Sequence, residues 1–223
     1  MPLGRYMMSQ FARPHGLLAG VFAAVMNGGN RLINLRSLEA LGVEPGQRVL
    51  EVGFGGGATM EALIREKQCG FVGGLDASAE MARAAERRFA PWIAEGRMAV
   101  RQGTVEEIPW GDAEFDRALS VNSLFYWPDP ARGVREIRRV LRPGGALVLG
   151  LRDKAAIDKI GLGALGYWSP HQEEIEALLK DAGFDPVSVQ SHSDGAGGFH
   201  RDPRLRALRI GAISPAIASA NTF

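Results

Sequence analysis

Short apolar runs alternate with helix-patterned stretches along most of this chain, and one run opens directly into a glycine-rich loop. Residues 47–52 (QRVLEV) read as a strand, with Gly53, Gly55, Gly56 and Gly57 immediately after it. A helix pattern covers 58–67. The alternation then continues with strands at 70–75, 98–102, 115–121, 146–151 and 187–190. Helices are predicted at 78–90, capped by Ser78, at 130–141 and at 171–182. Strand alternating with helix predicts an α/β fold, a doubly wound and mostly parallel Rossmann-like sheet. Strands covered on both faces read as continuous apolar runs, as these do. Ligands of such sheets bind in the crevice at the carboxyl ends of the strands.

Composition narrows the field. The chain has 29 glycines in 223 residues, about twice the ordinary ~7%, without the period of collagen. A formal net charge of +1 argues against a general nucleic-acid binder. Cys69 is the sole cysteine, so neither a disulfide framework nor a cysteine-rich zinc site is expected, and a reducing, cytoplasmic setting fits. No histidine or carboxylate pair has metal-ligand spacing, so no metal is expected. Residues 17–26 (LLAGVFAAVM) are too short to cross a membrane. They read as an N-terminal helix packed on the domain rather than as a signal peptide.

The loop carries the first chemical signal. Gly53 permits a tight turn, and Gly55 lets a ligand approach the backbone. The helix after it offers free N–H groups and a positive dipole end. Gly53, Gly55 and Ala58 also satisfy G-x-G-x-x-A, the dinucleotide fingerprint. Asp76, at the end of the second strand, is placed to accept hydrogen bonds from ribose hydroxyls. Loop and acid together point to an adenosine-containing ligand, with a nicotinamide-dependent oxidoreductase one way to use it.

Three ordered motifs resemble the class I S-adenosylmethionine (SAM) dependent methyltransferases, in particular the small-molecule branch around the quinone C-methyltransferases. Glu51, Gly53, Gly55 and Gly57 match an acid followed by G-x-G-x-G. Asp76, Ser78 and Met81 match D-x-S-x-x-M. Leu141, Arg142, Pro143, Gly144 and Gly145 match L-[KR]-P-G-G. The resemblance covers about residues 45–155 in family order. It implies SAM as cofactor, S-adenosylhomocysteine (SAH) as product, and a sheet that closes with an antiparallel seventh strand. It also implies a cofactor set of Glu51, Gly53, Phe54, Gly55, Asp76, Ala77, Met81, Thr104, Val105 and Asn122. Asn27 and Asn30 are expected near the methionine end. Thr104 stands where many relatives carry an aspartate toward the adenine.

The domain reading is a helical cap over 1–45, a SAM-binding core over 46–200 and an atypical tail over 201–223. The cap's second segment, with Leu32, Ile33, Leu35, Leu38 and Leu41, is expected to pack across the crevice. A seventh strand is expected to begin at 197–200, after which the strand pattern is lost.

On the acceptor side, Asn122 is followed by Ser123, Leu124, Phe125, Tyr126 and Trp127. Ser123 and Leu124 replace the prolines that nucleic-acid amino-methylating enzymes carry there, so a small organic acceptor is expected. The three aromatics, with Tyr167 and Trp168, are candidates for an acceptor wall or for core. Catalytic candidates are Tyr126, His15 and His171. Arg132, Arg135, Arg138, Arg139 and Arg142 form a solvated helix face or a phosphate patch. A third reading is a non-catalytic SAM-binding module. The expected partners are a small molecule and, at most, a second copy of the chain.

Overall fold

The computed structural model describes residues 30–193 and 206–213, with backbone alone for 192–193 and 206–213. Residues 17–26, His15, Asn27 and 197–200 therefore lie outside the described residues.

In chain order the elements are α1 (Arg31–Leu41), β1 (Arg48–Val52), α2 (Ala58–Arg65), β2 (Phe71–Asp76), α3 (Ala79–Arg88) and α4 (Ala90–Ala94). Then follow β3 (Met98–Gln102), β4 (Phe115–Val121), α5 (Pro130–Val140), β5 (Leu141–Arg152), α6 (Lys154–Lys159), α7 (Gln172–Asp181), β6 (Val187–Ser193) and β7 (Arg206–Ile213). Strands β3-β2-β1-β4-β5 form a parallel ladder. The strand order continues past β5 with β7 and then β6, β7 running antiparallel to both neighbours.

Neighbouring strand residues point to opposite faces. Val49 therefore packs with Leu38, Met60, Leu63 and Val72 on the side covered by α1, α2 and α3. Leu50 packs with Phe115, Ile137, Leu147 and Leu179 on the side of α5 and α7. Capping follows the sequence closely: Ser78 Oγ accepts from Met81 N at the start of α3, and Asp129 Oδ1 accepts from Arg132 N at the start of α5.

Three expectations change. The second N-terminal segment, α1, does not lie across the crevice. It packs on the sheet face, burying Ile33, Ser37, Leu38 and Leu41, because only these positions form one stripe at helical spacing. Leu32 and Leu35 remain 39% and 44% exposed. The strand after α5 begins at Leu141 rather than 146, since Leu141 already pairs with Phe115 before a register shift. A strand also runs at Arg206–Ile213, inside the stretch expected to hold none. Its sequence alternates weakly, at Leu208, Ile210 and Ala212, but Ala207–Ile213 pair with the open edge of β5 at 146–152. Ladder formation along an exposed edge outweighs a faint local pattern.

Candidate functional site

The glycine loop is shaped from both ends. Gly53 has φ +74° and Gly55 φ +50°, a backbone region that glycine enters without a β-carbon clash. Gly53 N donates to Leu75 O at 2.7 Å, tying the loop's first residue to β2. The Asp76 carboxylate then grips the loop itself. Its Oδ2 accepts from Gly55 N at 2.8 Å, and its Oδ1 accepts from Ser78 N at 2.9 Å. A carboxylate has about four acceptor sites, and these two bonds use one on each oxygen. On the outer side, Arg88 of α3 donates to Gly56 O at 2.9 Å and pairs with Glu61 of α2.

Beneath the loop lies Glu51, 3% exposed. Burial, offset partly by a hydrogen bond with Thr59 and reinforced by the nearby Asp76 charge, pushes its carboxyl up to about 8. Its Oε2 has no hydrogen-bond partner. A buried acceptor lacking a donor complements an ammonium group, and SAM carries one on its methionine end. The acceptor set therefore fits the cofactor: an orphaned Glu51 carboxyl oxygen below the loop and the Asp76 carboxylate at the end of β2.

The remaining expected cofactor residues fall into place unevenly. Met81 is buried at the first turn of α3, and Phe54 is buried in the same cluster. Ala77 is half-buried and Thr104 is exposed. Val105 is buried. Asn30 and Asn122 are brought together, with Asn122 Nδ2 donating to Asn30 Oδ1 at 3.0 Å. Asn122 sits at φ +53° and also joins β5, its Oδ1 accepting from Arg152 N and its N donating to Gly150 O.

The aromatic turn after β4 divides by role. Phe125 and Trp127 belong to the buried core, and the Trp127 indole donates to Ser123 Oγ at 3.1 Å. Tyr126 is only partly buried and meets Tyr167 edge-on at 5.1 Å. These residues, with Pro130, Trp168 and Leu178, line a pocket of about 580 Å³. Burial, with the neighbouring Tyr167 adding to it, pushes the Tyr126 phenol's pKa above its ordinary value, so it stays protonated. His171 does not line this pocket. It is exposed and starts α7, where its N–H donates to the Glu174 carboxylate at 2.7 Å.

The arginines of α5 and the start of β5 are a structural set in part. Arg139 bonds Glu136, Asp112, Trp110 O and Ile108 O, and Arg142 pairs with Asp116. Sequence alone does not single out Arg88 or Ser123, whose contacts at the loop, Gly56 O and Val52 O, lie 32 and 71 positions away, nor Thr59, whose bond to Glu51 belongs to no motif. No group of three metal-binding side chains occurs among the described residues, and none of their helices is long and apolar enough to cross a membrane.

Comparison with known proteins agrees with this geometry. Residues 50–149 match the methyltransferase domain family. An uncharacterised methyltransferase, YdaC of Bacillus subtilis, is 29% identical over 171 residues, spanning 74% of this chain and 87% of that protein. The 2-methyl-6-phytyl-1,4-hydroquinone methyltransferase 1 of Oryza sativa subsp. japonica is 30% identical over 146 residues, spanning 65% of this chain but 43% of the relative. The phosphoethanolamine N-methyltransferase 2 of Haemonchus contortus, solved with S-adenosyl-L-methionine, superposes with a TM-score of 0.72 at 18% identity, over 96% of this chain and 60% of that one. The class defined by fold and loop is a Rossmann-like nucleotide binder. Within it, the chain is similar to SAM-dependent methyltransferases, through a methyltransferase domain at residues 50–149 and the relatives above.

Proposed function

We propose that this protein transfers the methyl group of SAM to a small organic acceptor that rests against the aromatic pocket. The observation that carries the reading is the Asp76 carboxylate at the end of β2, bonded to Gly55 N of the loop. Asp76 would hold the ribose hydroxyls, Glu51 the methionine ammonium, and Met81 and Phe54 the adenine side. Asn30 and Asn122, bonded to one another, would border the methionine end. Ala77, Thr104 and Val105 would complete the adenine edge.

The chemistry SAM supplies there is a sulfonium methyl open to in-line displacement by an acceptor's lone pair, with neutral SAH leaving. What the chain contributes is alignment and exclusion of water. Tyr126 and Tyr167 present ring faces and phenolic donors to the acceptor. Around the pocket, Asp129 is the one charged lining residue, and one of its oxygens caps α5. That lining favours an uncharged, ring-bearing or apolar acceptor over a phosphorylated one, and the hydroquinone methyltransferase relative acts on a compound of that kind.

The β5-β7-β6 pairing supports the seven-stranded sheet of the family, with residues 46–200 as most of the catalytic core and β7 drawn into it from the tail. The single cysteine, buried with its thiol pushed up to about 11, accords with a reducing, cytoplasmic setting; a monomer or homodimer is proposed beside it.

Calorimetric titration with SAH tests the reading. The wild type is expected to bind, and Asp76→Ala to bind about 10–100-fold more weakly, the range for losing hydrogen bonds to a charged group. No binding by the wild type at millimolar SAH would overturn it.

A further inference from the structure

Ser123 stands where three elements meet. Trp127 Nε1 donates to its Oγ at 3.1 Å. The hydroxyls of Ser120 and Ser123 are 2.5 Å apart, and Ser123 Oγ lies 3.3 Å from Val52 O. A hydroxyl has one proton and two lone pairs, and one assignment satisfies every contact. Ser123 accepts from Trp127 and from Ser120, and donates to Val52 O. Ser120 is fully buried, and in this assignment its proton goes to Ser123 Oγ.

Val52 immediately precedes the first glycine of the loop. The contact is close on the carbon side too: a β-carbon on Gly53 would lie 2.5 Å from Ser123 Cβ. Ser123 thus touches the base of the cofactor loop with both its carbon and its oxygen. Through the same oxygen it holds the Trp127 indole, which lines the acceptor-side pocket. Trp127 has little room to move independently, since its ring lies 3.1 Å from where a β-carbon on Gly133 of α5 would stand.

We infer that Ser123 is a positioning residue that couples occupancy of the cofactor loop to the acceptor-side wall at Trp127. The inference rests on the cofactor reading above. A shift of the Val52–Gly53 backbone on nucleotide binding moves the hydroxyl's acceptor, and the indole hydrogen-bonded to that hydroxyl follows. Such coupling matters for in-line displacement, where a misplacement of ~1 Å costs about 10²-fold in rate. It is also reciprocal: a ligand that moves Trp127 changes affinity at the loop by the same factor.

The test uses ¹⁵N-labelled full-length protein with SAH as the probe, and follows the Trp127 indole N–H resonance, assigned by its loss in Trp127→Phe. The wild type is expected to shift this resonance at saturating SAH. Ser123→Ala is expected to bind SAH within about threefold of wild type while the indole shift falls below half. A merely structural role would lower the melting temperature and leave the SAH-induced shift intact. Ser123→Cys keeps the side chain's shape and weakens its hydrogen bonds, and it carries the same expectation should Ser123→Ala not fold. A full-size shift in either variant, an unmoved indole in a wild type that binds SAH, or a loss of SAH affinity beyond threefold would overturn the inference and leave the cofactor reading standing. A wild type that binds no SAH overturns the cofactor reading and the inference with it.

Discussion

Glu51 is the residue with the sharpest pH consequence. Its carboxyl ionises near 8 in the folded chain against an ordinary 4.5. Between those values the native state binds more protons than the unfolded one, so this group lowers stability as pH rises through that window and adds no further slope above about 8. Glu51→Gln removes the slope. Its melting temperature relative to wild type is expected to rise from pH 5 to pH 8 in scanning calorimetry, and a constant difference would refute the assignment. The acid itself was readable in the sequence as the head of the loop motif, as was Asp76. What no motif contains is the contact between Asn30 and Asn122, 92 positions apart. Both had been picked out singly as ligand contacts, and their bond to one another comes from the path of α1 across the sheet.

At the scale of elements, α5 and the segment before β4 depend on one another through Arg139, whose guanidinium reaches two backbone carbonyls and two carboxylates. Hydrogen bonding to Arg139 holds the Glu136 carboxyl below its usual range. Its stabilising contribution is therefore present above the ordinary glutamate range and lost as pH falls through the lowered value. Arg139→Ala is expected to cost about 1–3 kcal/mol in denaturant unfolding. Arg135→Ala, on the exposed side of the same helix, should stay within about 0.5 kcal/mol. Equal losses from both would mean that the network contributes nothing of its own. The five arginines looked alike in sequence because their helical spacing was the only information. The partners that separate them, Asp112 and Asp116, lie on a neighbouring loop and strand. The inner parallel strands β1 and β2 were legible for the opposite reason, since burial on both faces writes itself into nearly every residue of the run. The bounds of β3 and β4 are those expected from the sequence.

For the molecule as a whole, β7 is the strand that reading along the chain could least supply. Its pattern is faint, and its place in the sheet is settled by backbone pairing with β5 and β6. Ile210 pairs with Leu149 on one side and Val189 on the other. Ile210→Pro removes an N–H from the middle of this ladder and is expected to destabilise by about 1–3 kcal/mol, the cost of leaving a buried partner unsatisfied, read as a lower denaturation midpoint. A neutral effect would show that β7 is dispensable to the fold. The strand order also sets a timetable for synthesis. β6 cannot reach β5 directly, because the strand that separates them comes after both. At ~5–20 residues per second on the ribosome, the edge of β5 waits several seconds for residues made about sixty positions later. During that interval the nascent chain displays the unpaired edge of β5 as a template to its neighbours.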